Sequence, residues 1–353
     1  MLADPNALKE MTSRIFAAIG CADDEARCIA DHLVEANLAG HDSHGVIRVT
    51  PYLEWFRDGK VNPGRTLEVV TDTDTLTVAD GGLGFGQWIG KQAVDIGISK
   101  CRAQGCAIFA LRYSGHLGRI GHWAEMAADA GLVSLHFVNT SGLGMHVVPA
   151  GGRDRRLSVN PVTAGVPIAG ARPVILDIAA AATAEGKLKV ARNKGVPVPD
   201  GQIIDADGNP TNNPNDFYGP PQGAILPLGA HKGYGLGLVA DLLAGALSGG
   251  GCSNEGKDRL EQSMFSVYVD PRRLQTPDAF FGEVRRYVDF VKSSRPMEPG
   301  GEVLVPGEVE DRSRAKRRTG LELDEATWDQ LVESAQSCDV PDAIIQSVAI
   351  RAP

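Results

Sequence analysis

Residues 39–49, AGHDSHGVIRV, place His41, Ser43, His44 and Arg48 in one short stretch of a chain with eight histidines in all. Histidine exchanges a proton near neutral pH, and arginine grips a carboxylate through two parallel N–H groups. Arg48 follows His44 by four positions, so on a helix the two share a face. A second stretch, YSGHLGRIGHW, sets His116 in a glycine-flanked loop after a strand, where function tends to sit. Gly118 and Gly121 then open a helix whose N-terminus suits a phosphate. His44, Arg48 and His116 thus read as an acid/base pair beside an anion-binding fork. The alternative is a pair of hydrogen-bonded surface or interface histidines.

Other chemistries fit less well. His41 and His44 lie three apart and His116 and His122 six apart, but there is no H-E-x-x-H and no clustered carboxylate, so no metal centre is expected. Ser43 and His44 are adjacent, and neighbours in sequence do not face each other; no G-x-S-x-G elbow is present. Gly235, Gly237 and Ala240 match the dinucleotide fingerprint formally, and Glu255 sits at the expected distance. No second strand precedes Glu255, however, and these glycines read as close-packing positions of a small-residue helix. DGGLGFGQ, at 80–87, has the spacing of a tight turn instead.

The elements that must position these residues follow from pattern. Leu8, Met11, Ile15 and Ile19 recur at helical spacing after Pro5 and stop at Gly20. Asp23 or Asp24 can cap a second helix, with Ala26, Ile29, Leu33 and Asn37 on one face and an end near Gly40, and a third spans 46–58, with Ile47, Leu53 and Phe56 inward. GHDSHG is then a helix–helix corner. TLEVVTDTDTLTVADG alternates like two strands with a turn. Helices over 87–104 and 119–130 lead into the strands CAIFALR and GLVSLHFV, and PVILDIA, GAILPLG and SMFSVYVD are further strands. The Gly/Pro/Asn-rich stretch beginning NKGVPVPDG is too long for a plain loop and is either functional or packed. HKGYGLGLVADLLAGALSGG reads as a loop into a small-residue helix, and helices return near the C-terminus. The expected organisation is a helical unit from 1–65 with 305–353, and an α/β core over 66–304.

The balance of 43% apolar and 22% charged residues supports large globular cores. A net charge of −9 argues against nucleic acid as a partner, and the basic RSRAKRR beside acidic GEVED reads as a solvated helix face. The N-terminus lacks a signal-peptide pattern, there is no eighteen-residue apolar run, and six cysteines form no C-x-x-C pair. A cytoplasmic protein with reduced thiols and no membrane span is expected.

Taken together, NLAGHDSHGV, GHLGRIGHWAEMAADAGLVSLHFV, VILDIA with NKGVPVPDG, HKGYGLGL and VPGE resemble, in order and over nearly the whole chain, the malate/L-lactate dehydrogenase family of non-Rossmann NAD(P)-dependent oxidoreductases. Within it the hydroxycarboxylate dehydrogenase B branch is the most similar. The resemblance implies a mostly antiparallel mixed sheet, a homodimer, and interconversion of a 2-hydroxy acid with its 2-oxo acid. NAD(H) is the expected cofactor over NADP(H), although no residue singled out here separates them. By resemblance, Ser43 and His44 lie beside nicotinamide and substrate, Arg48 suits the substrate carboxylate, and His116 is an acid/base residue. Which histidine moves the proton stays open. Resemblance also assigns cofactor contacts to His44, to Gly118, Arg119 and Ile120, to Ile175, Leu176, Asp177, Ile178 and Ala179, to His231 and Lys232, and to Gly307, Glu308, Val309 and Glu310. Gly115 and the run AAAAT after Ile178 depart from the pattern and bear on pocket polarity. Lys187 stands where ketimine-reducing members use an aspartate, which favours an oxo acid over a cyclic imine. The remaining alternatives are a ketimine or ureidoglycolate-type reductase and a catalytically silent ligand-binding member.

Overall fold

The computed structural model describes residues 1–350. In chain order, β1 (Leu2–Ala3) leads into α1 (Pro5–Ala18), capped by Asp4, which accepts from the Ala7 N–H at 2.8 Å. Next come α2 (Asp23–Leu38), two 3-10 turns (Asp42–His44 and Val46–Arg48) and α3 (Val49–Arg57). The expected helix from 46 therefore begins one turn late. Asn37 Oδ1 accepts the Val46 N–H at 2.8 Å, and Gly45 is extended, so the chain is bent there by a side chain of α2. The central region holds β2 (Glu68–Asp72), β3 (Leu76–Asp80), α4 (Gly86–Gln104), β4 (Cys106–Ser114), α5 (Gly121–Asp129), β5 (Val133–Gly142), β6 (Val162–Val166) and β7 (Val174–Ile178). Then follow α6 (Glu185–Lys194), β8 (Ile203–Ile204), β9 (Pro210–Thr211), α7 (Pro214–Tyr218), β10 (Ala224–Ile225), α8 (His231–Asp241) with a π-helical continuation (Leu242–Leu247), β11 (Leu260–Val269) and α9 (Pro277–Lys292). The chain closes with α10 (Glu308–Arg317), β12 (Leu321–Glu322), α11 (Glu325–Ser337) and α12 (Asp342–Val348).

Three main apolar cores result. Leu8, Ile15, Leu33 and Leu53 from the first helices pack with Leu331 and Ile345 from the last two, and β1 pairs with β12. Neither chain end buries its apolar stripe alone. The second core lies under a seven-stranded sheet of order β2-β3-β4-β11-β5-β6-β7. Only β3 and β4 run parallel, joined by the crossover helix α4; the other neighbours are antiparallel. Ile89, Val94 and Trp123 from α4 and α5 fill the space against Phe109, Val138 and Tyr268. The third core gathers Val147, Leu157, Leu188, Ile203, Phe217 and Ile225 around the small sheet β10-β8-β9. The long Gly/Pro/Asn-rich stretch is thus packed, and the expected strand GAILPLG shrinks to two residues of this small sheet. β6, α6 and α9 were not anticipated.

The fold is α/β, with a mixed, mostly antiparallel sheet. The formal dinucleotide fingerprint fails as geometry: Gly235, Gly237 and Ala240 all lie inside α8 instead of on a turn that opens it. Gly235 is not a packing position either. A Cβ there would meet nothing within 4 Å, whereas one at Gly233 would lie 2.4 Å from the Leu228 carbonyl oxygen and 2.5 Å from that of Ala180. Gly235→Ala is therefore expected to raise stability by about 0.5–1 kcal/mol through helix propensity, and Gly233→Ala to lower it. Thermal unfolding of the two variants checks the pair. A drop in Tm for Gly235→Ala would contradict the open space seen around it.

Candidate active site

The corner at 41–48 is held from several sides. Asn37 accepts from Val46 and donates to Asp42 Oδ1 at 2.7 Å. A Cβ at Gly45 would sit 2.1 Å from Asn37 Oδ1, so only glycine passes under that amide. From α10, Arg317 donates to the Asn37 carbonyl at 2.6 Å and to Asp42 at 2.7 Å, and His41 Nε2 lies 3.1 Å from Glu310 Oε1.

On this corner Arg48 spends one donor internally. Its Nε donates to the Ser43 carbonyl at 2.6 Å, which orients the guanidinium and leaves both Nη groups without a carboxylate among the described residues. Ser43 Oγ lies 3.1 Å from His44 Nδ1. The expectation that these neighbours cannot interact is corrected here, because a 3-10 turn brings them together. No carboxylate orients His44 among the described residues, so a nucleophilic triad is still not formed.

His116 faces this corner from the loop after β4. Its ring stacks on that of His44 at a centroid distance of 5.7 Å and an interplanar angle of 17°. Its Nδ1 lies 2.6 Å from the hydroxyl of Tyr52, and Gln87 Nε2 donates to the same hydroxyl at 2.8 Å. With Gln87 donating to the Tyr52 oxygen, the Tyr52 hydrogen is free for His116 Nδ1, and this pairing assigns the neutral ring's own proton to Nε2. Gly115 lets this loop close on the next turn: a Cβ there would stand 2.6 Å from the Gly84 carbonyl oxygen, whose hydrogen bond from Gly115 N–H measures 2.9 Å. The departure at 115 is therefore steric.

Burial, with Arg48 next in weight, pushes the His44 pKa down to about 3 and holds His116 well below its usual range. Lys187, in the first turn of α6, adds to the depression of His44. That turn abuts the corner: a Cβ at Gly186 would lie 3.0 Å from Ser43 Cβ. Burial also pushes Tyr52 up to about 12. At neutral pH both depressed histidines are uncharged, and the fixed charge acting on both is Arg48.

The residues assigned to a cofactor by resemblance fall into two groups. Gly118, Arg119, Ile120, Asp177 and Glu310 line up from the His116 loop through β7 to α10, since Gly121 N–H donates to Asp177 Oδ2 at 2.8 Å and Ile175 N–H to the Pro306 carbonyl at 3.0 Å. Gly307, φ +101, packs its Cα against Ile175. His231 and Lys232 stand exposed in the first turn of α8, which docks on Ala180 through Gly233. Besides Asp177, which takes the Gly121 N–H, and Glu310, which pairs with His41, three side chains in these groups are already engaged. Arg119 is 2% exposed and paired with Glu125, Glu308 is paired with Lys292, and Ile175 is buried. Val309 is 62% exposed. The expected phosphate seat at the start of α5 is corrected: the Asp177 carboxylate already takes the Gly121 N–H.

A nicotinamide fits the remaining groups. β7 is an edge strand, and Ile175 N–H points outward to Pro306. By the alternation of an antiparallel ladder, the backbone N–H and C=O of Asp177 point outward too. That open pair of donor and acceptor matches a carboxamide.

Tyr52 and Gln87 were missed from the sequence. Tyr52 continues the four-residue spacing of His44 and Arg48, a signal that was present. Gln87 had none.

A mixed sheet without a Rossmann turn, carrying neutral histidines beside a free arginine fork, is a dehydrogenase scaffold shared with known proteins. The model described as malate/L-lactate dehydrogenase matches residues 3–332, and the chain belongs to that family. It is 40% identical over 336 residues to L-lactate dehydrogenase of Cupriavidus necator, covering 94% of this chain and 96% of that one. It is 36% identical over 350 residues to hydroxycarboxylate dehydrogenase B of Escherichia coli O157:H7, covering 98% of this chain and 96% of the relative. A solved putative malate/lactate dehydrogenase from E. coli superposes with a TM-score of 0.93 at 35% identity, covering 98% of each chain.

Tyr52→Phe tests the tautomer assignment directly. In the wild type, long-range 15N NMR of the imidazoles is expected to show His116 protonated at Nε2. In the variant, Nδ1–H should gain population because its enforced donor is gone. An Nδ1–H ring in the wild type would refute the assignment.

Proposed function

We propose that this chain interconverts a 2-hydroxy carboxylic acid and its 2-oxo acid, using a nicotinamide dinucleotide, NAD(H) in preference to NADP(H). The observation that carries the reading is the unpaired Arg48 fork beside a neutral His116 backed by Tyr52. The substrate carboxylate pairs with the two Nη groups of Arg48. His116 Nε2–H gives its proton to the carbonyl oxygen as it becomes an alkoxide. A proton from solvent enters the ring as the carbonyl oxygen takes one from Nε2, so the ring ends neutral, and Tyr52, held by Gln87, orients it through Nδ1. His44, held by Ser43, is the positioning partner across the stack. Asp177 and the Gly118–Ile120 backbone would hold the nicotinamide, which supplies the hydride when bound. Arg48 and Lys187 together disfavour a cationic imine and favour an acid with negative charge. The helical unit of 1–65 with 305–353 acts as the body that presents Ser43, His44, Arg48 and Tyr52 to the core of 66–304.

A homodimer is part of the same reading. The segment 233–247 carries one charged side chain, the buried Asp241, yet exposes Leu238, Val239, Leu242 and Leu247 at 40%, 47%, 50% and 61%. An apolar exposed face with small residues between its leucines fits a second copy of itself across a two-fold axis. Val239→Glu with Leu242→Glu is expected to give a monomer in sedimentation velocity where the parent sediments as a dimer. A monomeric parent would remove this part of the reading.

Arg48 separates geometry from charge. Arg48→Lys keeps the charge but loses the planar fork, so kcat/KM for 2-oxo acids should fall about 10- to 150-fold with the pH profile unmoved. Arg48→Gln removes the charge that depresses both histidines, so the histidine-dependent limb should shift to higher pH. Rates of NADH and NADPH oxidation with a panel of 2-oxo acids provide the measurement. Wild-type kcat/KM in both variants would exclude Arg48 from substrate binding, and turnover of cyclic imines alone would exclude the oxo-acid reading.

A further inference from the structure

A cleft of about 590 Å³ opens between α2, α4 and α5, on residues that the reaction above does not use. His32 lines it and is 3% exposed. The His32 Nε2 accepts the Arg119 backbone N–H at 3.0 Å, so in the neutral ring the proton sits on Nδ1. That Nδ1–H is buried and has no hydrogen-bond partner among the described residues. An unmet buried donor costs about 1–3 kcal/mol, and here it belongs to a ring that lines an open cleft.

The charges around the cleft are already matched. Lys9 pairs with Asp31 at 3.0 Å, Arg27 with Asp24 at 2.6 Å, Lys91 with Asp95 at 2.6 Å and Arg314 with Glu35 at 2.6 Å. No side chain there calls for an ion. Trp88 and Met126 offer flat and apolar lining, and His122 stands 4.6 Å from the His32 ring, with its pKa pushed down to about 4 by burial. The unmet demand is for one hydrogen-bond acceptor on an uncharged, flat partner.

We propose that this cleft binds a neutral planar heteroaromatic group, one or two rings in size, whose ring nitrogen or carbonyl accepts from His32 Nδ1–H while a face lies on Trp88. The site is separate from the catalytic corner, but His32 connects them: the same ring that would meet the ligand holds Arg119, three residues beyond His116.

The probes are isoquinoline, a neutral two-ring base with an acceptor nitrogen, and indole, equally flat but with a donor in its place. Titration of the full-length protein at pH 7.5, followed by 15N NMR of the imidazoles, should shift the His32 Nδ1 signal with isoquinoline. Isoquinoline should bind at least about tenfold more tightly than indole. His32→Gln retains an acceptor for Arg119 N–H and removes the Nδ1–H, so isoquinoline binding should fall to the indole level. Trp88→Leu, which leaves the His32 contacts intact, should weaken both probes while turnover stays at the wild-type rate. Equal affinity for the two probes, an unmoved His32 signal at saturation, or undiminished isoquinoline binding in Trp88→Leu would overturn the proposal, whether or not His32→Gln folds.

Discussion

The 2.6 Å hydrogen bond from Tyr52 to His116 is where two separately cored layers become one chemical unit. Tyr52 belongs to α3 and packs in the helical core beside Phe16 and Phe85. His116 rides on the loop that leaves β4, and Gln87 stands in the first turn of α4. Each bond in the chain Gln87, Tyr52, His116 has a direction, and the direction sets which imidazole nitrogen carries the proton. A shift of the helical layer by about 1 Å would lengthen the bond past useful range. On the proposed reading, packing of the two chain ends is thus a condition of the chemistry, and not only of stability.

The same dependence explains why the C-terminal helices matter so far from the reacting atoms. Arg317 pins the corner at Asn37 and Asp42, and Arg314 ties Glu35 of α2 to Glu125 of α5. Burial would raise the Glu125 pKa, but Arg119 and Arg314 more than offset it and the carboxyl is held below its usual range. Removing either arginine would leave a buried charge only half matched, a costly state. Arg119 therefore works as a strut under the His116 loop.

The sequence made local features legible and concealed those that depend on long-range pairing. Ser43, His44 and Arg48 sit within one turn-rich stretch, and the glycines around His116 announced a loop, so that half of the corner could be read in advance. Asp177 could not be paired with Gly121 N–H, since the two meet only once β7 takes its place at the sheet edge, and the start of α5 looked free for phosphate. Gln87 and His32 were invisible for the same reason. Thr276 followed by Pro277 was a readable helix start for α9, with Thr276 accepting from the Ala279 N–H at 3.4 Å, and it was passed over. The helix at 46 failed at its first turn because Asn37, nine residues earlier, competes for the Val46 N–H.

Arg48, with no carboxylate partner among the described residues, acts on both neutral histidines. In the empty site its positive field opposes protonation of both rings. On the proposed reading, a carboxylate held by Arg48 offsets that field, and the pKa of each ring moves up from its depressed value. Anion binding and proton binding therefore help each other, and by linkage the coupling is reciprocal: lowering the pH tightens the anion as much as the anion raises proton affinity. Reduction of an oxo acid consumes one proton for each hydride. A site that gathers the proton as it gathers the acid is thus biased toward reduction at lower pH, and it reverts to neutral rings when the acid leaves.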